Sequence, residues 1–295
     1  VPVGRHGGGQ LSDVAIGLAW RRVRDRFAAA GLRTPELDAR LLAQRAFGLD
    51  TMALVRKERD AAPDEGLDLL EQYAERRLVG EPVSRILGRR EFWGLDFALG
   101  PATLDPRPET ELLVQEALAL LEGKPNPSFL DLGTGTGAIA IAILASNAKA
   151  KGFATDISAE ALEIARRNAE THGVADRLTL RPGPWWQAVP HTELFDVIVS
   201  NPPYIATAQI ATLDPEVRLF DPKAALDGGW DGVEPYRAIA SQAIRRLKPG
   251  GALIVEIGAT QAEIITKIFA RTGFSRIEVQ KDLNGLDRVI HASHS

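Results

Sequence analysis

Asn201-Pro202-Pro203-Tyr204 is the stretch of this chain best suited to chemistry. It succeeds an apolar run, Phe195 to Ser200, that predicts a buried parallel strand. In open α/β sheets, ligands bind just beyond the carboxyl ends of strands. Two consecutive prolines end the strand and stiffen the backbone beyond it. The chain then presents an amide, a rigid turn and an aromatic ring, which suits gripping a planar NH2 group. The Asn201 side-chain oxygen and the Pro202 carbonyl can each accept one N–H, and Tyr204 offers the plane a surface. Asn201, Pro202 and Tyr204 are therefore the candidate catalytic residues, and with Pro203 they form the candidate substrate site. A plain strand-to-loop turn would use the same residue types, so the rest of the chain has to decide.

A second stretch lies upstream. Phe129 to Ala138 reads as a strand, a glycine loop and a helix start. Gly133, Gly135 and Gly137, with Thr134 and Thr136 between them, let the backbone turn tightly and let a ligand approach without Cβ atoms in the way. A dinucleotide fingerprint would be Gly-x-Gly-x-x-Gly, which seats a pyrophosphate on a helix N-terminus. The spacing here is Gly-x-Gly-x-Gly, and Asp131 at the strand end would repel a phosphate and favour a cation. S-adenosylmethionine, with an ammonium, a sulfonium and no phosphate, fits better than NAD. Asp156 lies 19 residues beyond Gly137 at the end of the next expected strand, where a carboxylate accepts ribose hydroxyls. Trp185, in the loop after the third strand, is placed to stack on an adenine; its neighbour Trp186 makes core packing the alternative. No metal ligand set is expected.

These stretches need a scaffold. From residue 128 onward strands and helices alternate, the mark of a doubly wound parallel sheet. Strands are expected at 128–132, 151–155, 177–181, 194–200, 250–257, 274–280 and 286–292. Helices are expected near 138–147, 159–172, 233–247 and 260–272. The last two strands have no helix between them, and Asn284-Gly285 should turn them into an antiparallel hairpin. Residues 11–88 read as a small helical bundle without strands, in which Thr34-Pro35-Glu36 is a helix start with Thr34 as its cap. Residues 89–106 read as a β-hairpin linker, leaving 107–295 as the domain that carries the chemistry. Residues 1–10 read as a flexible tail that lacks the apolar core of a signal peptide.

Composition bounds the partners. The 295 residues carry a net charge of −4, which argues against tight nonspecific binding to nucleic acid. The charge is uneven: residues 1–90 hold 16 Lys/Arg against 13 Asp/Glu. The N-terminal third is thus mildly basic, either a docking face for an acidic or RNA-bearing partner or ordinary solvated helix surface. Cysteine is absent, so no disulfide framework or thiolate chemistry is available, consistent with a cytoplasmic location. No apolar stretch reaches the ~18 residues of a membrane span.

The motifs together resemble the HemK type of protein-glutamine methyltransferase, which modifies peptide-chain release factors. The resemblance covers about residues 11–292. It rests on Phe92-Trp93-Gly94-Leu95, Pro106-Arg107-Pro108-Glu109-Thr110-Glu111, the run Asp131 to Gly137, Ser200 to Ile205, Ala224-Ala225-Leu226-Asp227-Gly228-Gly229, Glu256-Ile257-Gly258 and Asp287-Arg288-Val289. It implies a seven-stranded, Rossmann-like class I methyltransferase domain behind a helical domain and a hairpin. It also implies S-adenosylmethionine as methyl donor and the glutamine of a Gly-Gly-Gln tripeptide in release factors as acceptor. A monomer is expected, with no direct nucleic-acid readout and no membrane association. Three departures stand out: Pro184 where the family commonly has an acid, Asp105 where an apolar residue usually precedes Pro-Arg-Pro, and Asp221-Pro222 for the usual Glu-Pro. The competing readings are an adenine amino methyltransferase, which would want a basic target-recognition domain, and a binding module without chemistry, which would not need an intact Asn-Pro-Pro-Tyr.

Overall fold

A computed structural model describes residues 11–294 and divides the chain into two compact units, one ending at Leu87 and one beginning at Gly88. The expected tail, residues 1–10, lies outside the described residues. Among the described residues no helix is long and apolar enough to cross a membrane.

The first unit runs β1 (Leu11–Ala15), α1 (Ile16–Ala29), α2 (Pro35–Phe47), α3 (Thr51–Arg56), β2 (Ala61–Pro63), α4 (Asp64–Leu78) and α5 (Val83–Leu87). Its core is Phe27, Leu42, Leu54 and Leu70 with alanines between the helices. Two expectations are corrected here. The segment read as the start of a helix at Leu11 is a strand to Ala15, paired antiparallel with β2. The pairing continues into the helix start, where the Ile16 and Gly17 N–H groups donate to Asp60 and Glu58 carbonyls. Gly17 permits this, because a Cβ there would sit 2.8 Å from the Glu58 oxygen. Thr34 does not cap α2; its hydroxyl donates to Asp38 Oδ1 at 2.8 Å instead. Asp38 in turn accepts from Arg77 Nε at 2.8 Å, a buried pair that ties α2 to α4.

The second unit begins with the hairpin β3 (Arg89–Phe92) and β4 (Leu95–Ala98), turning through Trp93 and Gly94, both in the left-handed region. The hairpin is part of this unit's core rather than a free connector, since Phe92 and Phe97 are buried with Leu113, Val114 and Phe129. Then come α6 (Glu111–Leu121), β5 (Ser128–Leu132), α7 (Ala138–Ser146), β6 (Lys151–Asp156), α8 (Ala159–Thr171), β7 (Leu178–Pro182), β8 (Phe195–Ser200), α9 (Pro215–Phe220), α10 (Glu234–Arg246), β9 (Leu247–Glu256), α11 (Ala262–Arg271), β10 (Arg276–Lys281) and β11 (Asp287–Ser293).

The sheet order is β10-β11-β9-β8-β5-β6-β7, and only β11 with its two neighbours is antiparallel. The central strands are apolar on both faces, as a sheet covered by helices on both sides requires. Phe129, Val197, Val199 and Ile254 point to the layer of α6 and α7; Leu130, Ile198, Leu253 and Val255 point to that of α10 and α11. Helix α7 is apolar all round and is buried from Ala138 to Leu144. The expected terminal hairpin is present as β10 and β11, turning through Gly285.

Candidate active site

β5 lies between β6 on one side and β8 on the other, so chain direction through the sheet reverses there. Ligands of open α/β sheets bind in the crevice at such a point. Both motifs singled out in the sequence emerge at it: the glycine loop succeeds β5 and Asn201 succeeds β8. The two strand ends are tied, because Ser200 Oγ donates to the Leu132 carbonyl at 2.6 Å.

The loop is built by its glycines and by two acids. Gly133, Gly135 and Gly137 all have positive φ. Asp156 Oδ2 accepts the Gly135 N–H at 2.8 Å, and its Oδ1 accepts the Ser158 N–H at 2.9 Å. Burial raises its pKa, while these amides oppose the rise. Asp131 does not face the crevice. It is fully buried under the loop and accepts the Thr134 hydroxyl at 2.7 Å. Desolvation raises its pKa to about 7 against the Thr134 hydrogen bond, with nearby Asp156 adding to the rise. Its role is to hold the loop, so the repulsion of phosphate expected from it is not what shapes the wall.

Asn201 Nδ2 donates to Thr110 Oγ1 at 3.1 Å, and Thr110 Oγ1 donates to Glu256 Oε2 at 2.6 Å. Thr110 comes from the Pro-Arg-Pro-Glu-Thr-Glu turn before α6, and Glu256 ends β9. Burial lifts the Glu256 carboxyl to about 7; the Thr110 hydroxyl, the Arg288 guanidinium and Asn201 act against this, and Glu109 adds to it. Tyr204 is half-buried against the α10 and α11 layer, and burial pushes its phenol up. Its carbonyl accepts from Gln261 Nε2 at 2.9 Å.

A second segment folds over the tetrapeptide. The Ile205 N–H donates to the Leu226 carbonyl, and Gly228 donates back to Ile205. A Cβ on Gly228 would meet the Pro203 carbonyl at 2.9 Å, so the close approach requires glycine there. Arg107 is anchored to the same segment through Asp221.

These elements enclose a cavity of about 760 Å³, within the ~300–1,000 Å³ usual for ligand sites. Gly133, Thr134, Gly135, Thr136, Asp156, Trp185, Asn201 and Pro203 line it. Pro202, Tyr204 and Gly137 are not part of the lining. Gly137 is instead a close-packing position, where a Cβ would come within 2.9 Å of Ile141. The tryptophan pair divides: Trp185 lines the cavity, whereas Trp186 is core and its Nε1 donates to the Ala238 carbonyl at 2.9 Å. The turn Pro106 to Glu111 could be read from sequence as a possible lid over the pocket, but Thr110, Glu256 and the 221–229 segment were not assigned to the site; most of them stood in the motifs that carry the resemblance, the only signal available.

The strand order and the glycine loop, with the Asn-Pro-Pro-Tyr at the adjacent strand end, define a class I methyltransferase with S-adenosylmethionine as donor. A family model described as methyltransferase domain matches residues 124–283, and one described as PrmC N-terminal domain matches residues 19–88. The chain is 45% identical over 295 residues to a release factor glutamine methyltransferase of Rhodospirillum rubrum, covering 98% of this chain and 90% of that one. To that of Agrobacterium fabrum it is 46% identical, covering 96% of this chain and 98% of the relative. The chain belongs to the release factor glutamine methyltransferases. The fold alone is shared with the hMettl16 catalytic domain, solved in complex with MAT2A 3'UTR hairpin 6, at 16% identity and a TM-score of 0.57 over 69% of this chain and 77% of that one.

Proposed function

We propose that this enzyme methylates the side-chain amide nitrogen of the glutamine in the Gly-Gly-Gln tripeptide of peptide-chain release factors, working as a cytoplasmic monomer. The observation that carries the reading is the hydrogen bond from Asn201 Nδ2 to Thr110. It occupies the donor end of the Asn201 amide and leaves Oδ1 to accept from a substrate N–H. The second N–H is assigned to the Pro202 carbonyl, although the Pro202 ring is buried and off the cavity wall, and Pro203 and Tyr204 keep the turn rigid.

When bound, S-adenosylmethionine supplies an electrophilic methyl on sulfonium. The glycine loop would leave space for its amino-acid end, Asp156 would take the ribose hydroxyls, and Trp185 would pack on the adenine. An amide nitrogen is a weak nucleophile because its lone pair is delocalised into the carbonyl. The task of the chain's own residues is therefore orientation of that nitrogen. Accepting both N–H groups fixes it and stabilises the positive charge that grows on it as the N–C bond forms and the S–C bond breaks. One amide proton is then released to water. The helical N-terminal unit recognises the body of the protein substrate.

Radiolabelled methyl transfer to purified release factor tests the reading. Label should enter the wild-type factor and not its Gln→Ala version. Label entering DNA with the release factor unmodified would replace this reading with that of an amino methyltransferase acting on nucleic acid.

A further inference from the structure

Thr110 has one hydroxyl proton and gives it to Glu256 Oε2 at 2.6 Å. Having donated, its oxygen must accept, and it accepts the Asn201 Nδ2–H at 3.1 Å. The order of donors along this chain of hydrogen bonds is therefore dictated from the Glu256 end. An ionised carboxylate can only accept, so Thr110 must point to it, Asn201 must present nitrogen to Thr110, and Oδ1 is left for the substrate. A protonated carboxyl can donate to Thr110. The hydroxyl is then free to donate to Asn201 Oδ1, and the amide turns its NH2 outward. An NH2 facing the NH2 of a glutamine is donor against donor.

We propose that Glu256, acting through Thr110, is the positioning residue that determines which end of the Asn201 amide faces the substrate. This rests on the function proposed above, in which Asn201 Oδ1 accepts from the substrate amide. Glu256 is almost fully buried at the end of β9, its Oε2 is engaged by Thr110, and the Asn201 amide also donates toward its carboxyl, which reinforces the orientation that Thr110 sets. The charged and titratable groups around it come from each element packed on it. Glu109 precedes α6, Arg288 lies on β11, Tyr204 comes after β8, and Tyr236 on α10 donates its hydroxyl to the Glu256 backbone carbonyl at 2.8 Å. Burial dominates this balance and lifts the carboxyl to about 7, the pH around which the relay would reverse. Arg288 is the cation among these groups and is itself held by Asp282 Oδ2 at 3.1 Å.

The test compares wild type with Glu256→Gln, Thr110→Val and Thr110→Ser on release factor across about pH 5.5–9, with cofactor affinity measured separately. For wild type, kcat/KM should fall on the acid side with a midpoint near 7. Glu256→Gln should lower kcat by ~10-fold or more and flatten the acid limb, with the S-adenosylmethionine Kd within ~2-fold of wild type. Thr110→Val should do the same, and Thr110→Ser, which keeps the hydroxyl, should restore both rate and limb. The Glu256→Gln, Thr110→Val double variant should be no slower than the slower single variant, since both cut one chain. A Glu256→Gln enzyme with wild-type kcat and an unchanged acid limb overturns the proposal, as do equal rates for Thr110→Val and Thr110→Ser. That last comparison decides alone if Glu256→Gln does not fold. Wild type inactive on release factor defeats the functional reading as well, which separates the two failures.

Discussion

Arg107 Nη2 donates to Asp221 Oδ2 at 2.6 Å across 114 residues of sequence. The pair fastens the turn that carries Thr110 to the segment that folds over Asn-Pro-Pro-Tyr. Asp221 is buried, whereas the Arg107 side chain is 38% exposed and borders the cavity. Asp221→Ala should therefore raise KM for release factor by ~10-fold while changing cofactor affinity by less than ~2-fold. Separate kinetic and calorimetric titrations check this; a loss confined to cofactor binding would contradict it.

Asp156 should govern cofactor affinity. Its two oxygens organise the glycine loop through Gly135 and Ser158 and also lie on the cavity wall. Asp156→Ala should weaken S-adenosylmethionine binding by ~1.5–3 kcal/mol, the usual worth of hydrogen bonds to a charged group. Calorimetry with unchanged affinity would remove it from the site.

Asn201→Ala should lower turnover by ~100-fold or more at saturating cofactor, the usual effect of deleting one preorganised transition-state partner. Asn201→Asp keeps an acceptor but cannot donate to Thr110, so partial activity should survive. Near-normal turnover in Asn201→Ala would refute the amide-gripping mechanism.

The N-terminal unit exposes Met52, Val55, Arg56, Lys57 and Arg59 in and just beyond α3. Charge reversal of Arg56, Lys57 and Arg59 to Glu should raise KM for whole release factor and leave the rate on a short Gly-Gly-Gln peptide unchanged. Equal effects on both substrates would count against recognition by this unit.

Asp131 gives a pH-dependent stability. Its pKa in the fold, about 7, stands above its ordinary value, so the folded state binds the proton more tightly than the unfolded chain. Its stabilising contribution is complete below the ordinary carboxylate range and fades as pH rises through about 7. Asp131→Asn should remove that component. Between about pH 5 and 8 its Tm should decline less with rising pH than that of wild type, as read by differential scanning fluorimetry.

The parallel strands were legible because β5, β8 and the second half of β9 are buried on both faces and read as short, largely apolar runs. β1 was not, because Leu11, Val14 and Leu18 also satisfy a helical spacing, and only Gly17 hints that another backbone comes close. The tetrapeptide and glycine loop were legible as local motifs. The network behind them was not: Thr110 and Glu256 are 146 residues apart, and Asn201 is 91 from Thr110. No spacing rule joins residues whose proximity exists only once the sheet is wound. Trp185 and Trp186 were separable only in the fold, where one leaves a left-handed backbone for the cavity and the other finds a carbonyl in the core.

The bond from Ser200 to the Leu132 carbonyl clamps together the two strand ends from which the glycine loop and Asn201 emerge, the proposed donor and acceptor half-sites. The distance between these half-sites is thus a property of the sheet and hardly of the loops. Divergence toward a different amide-bearing acceptor would have to proceed by exchanging the covering segment 221–229 or the N-terminal unit, leaving the reaction geometry inherited intact. The fold separates what it does to a nitrogen from the choice of which nitrogen it meets, and only the second is open to change at low cost.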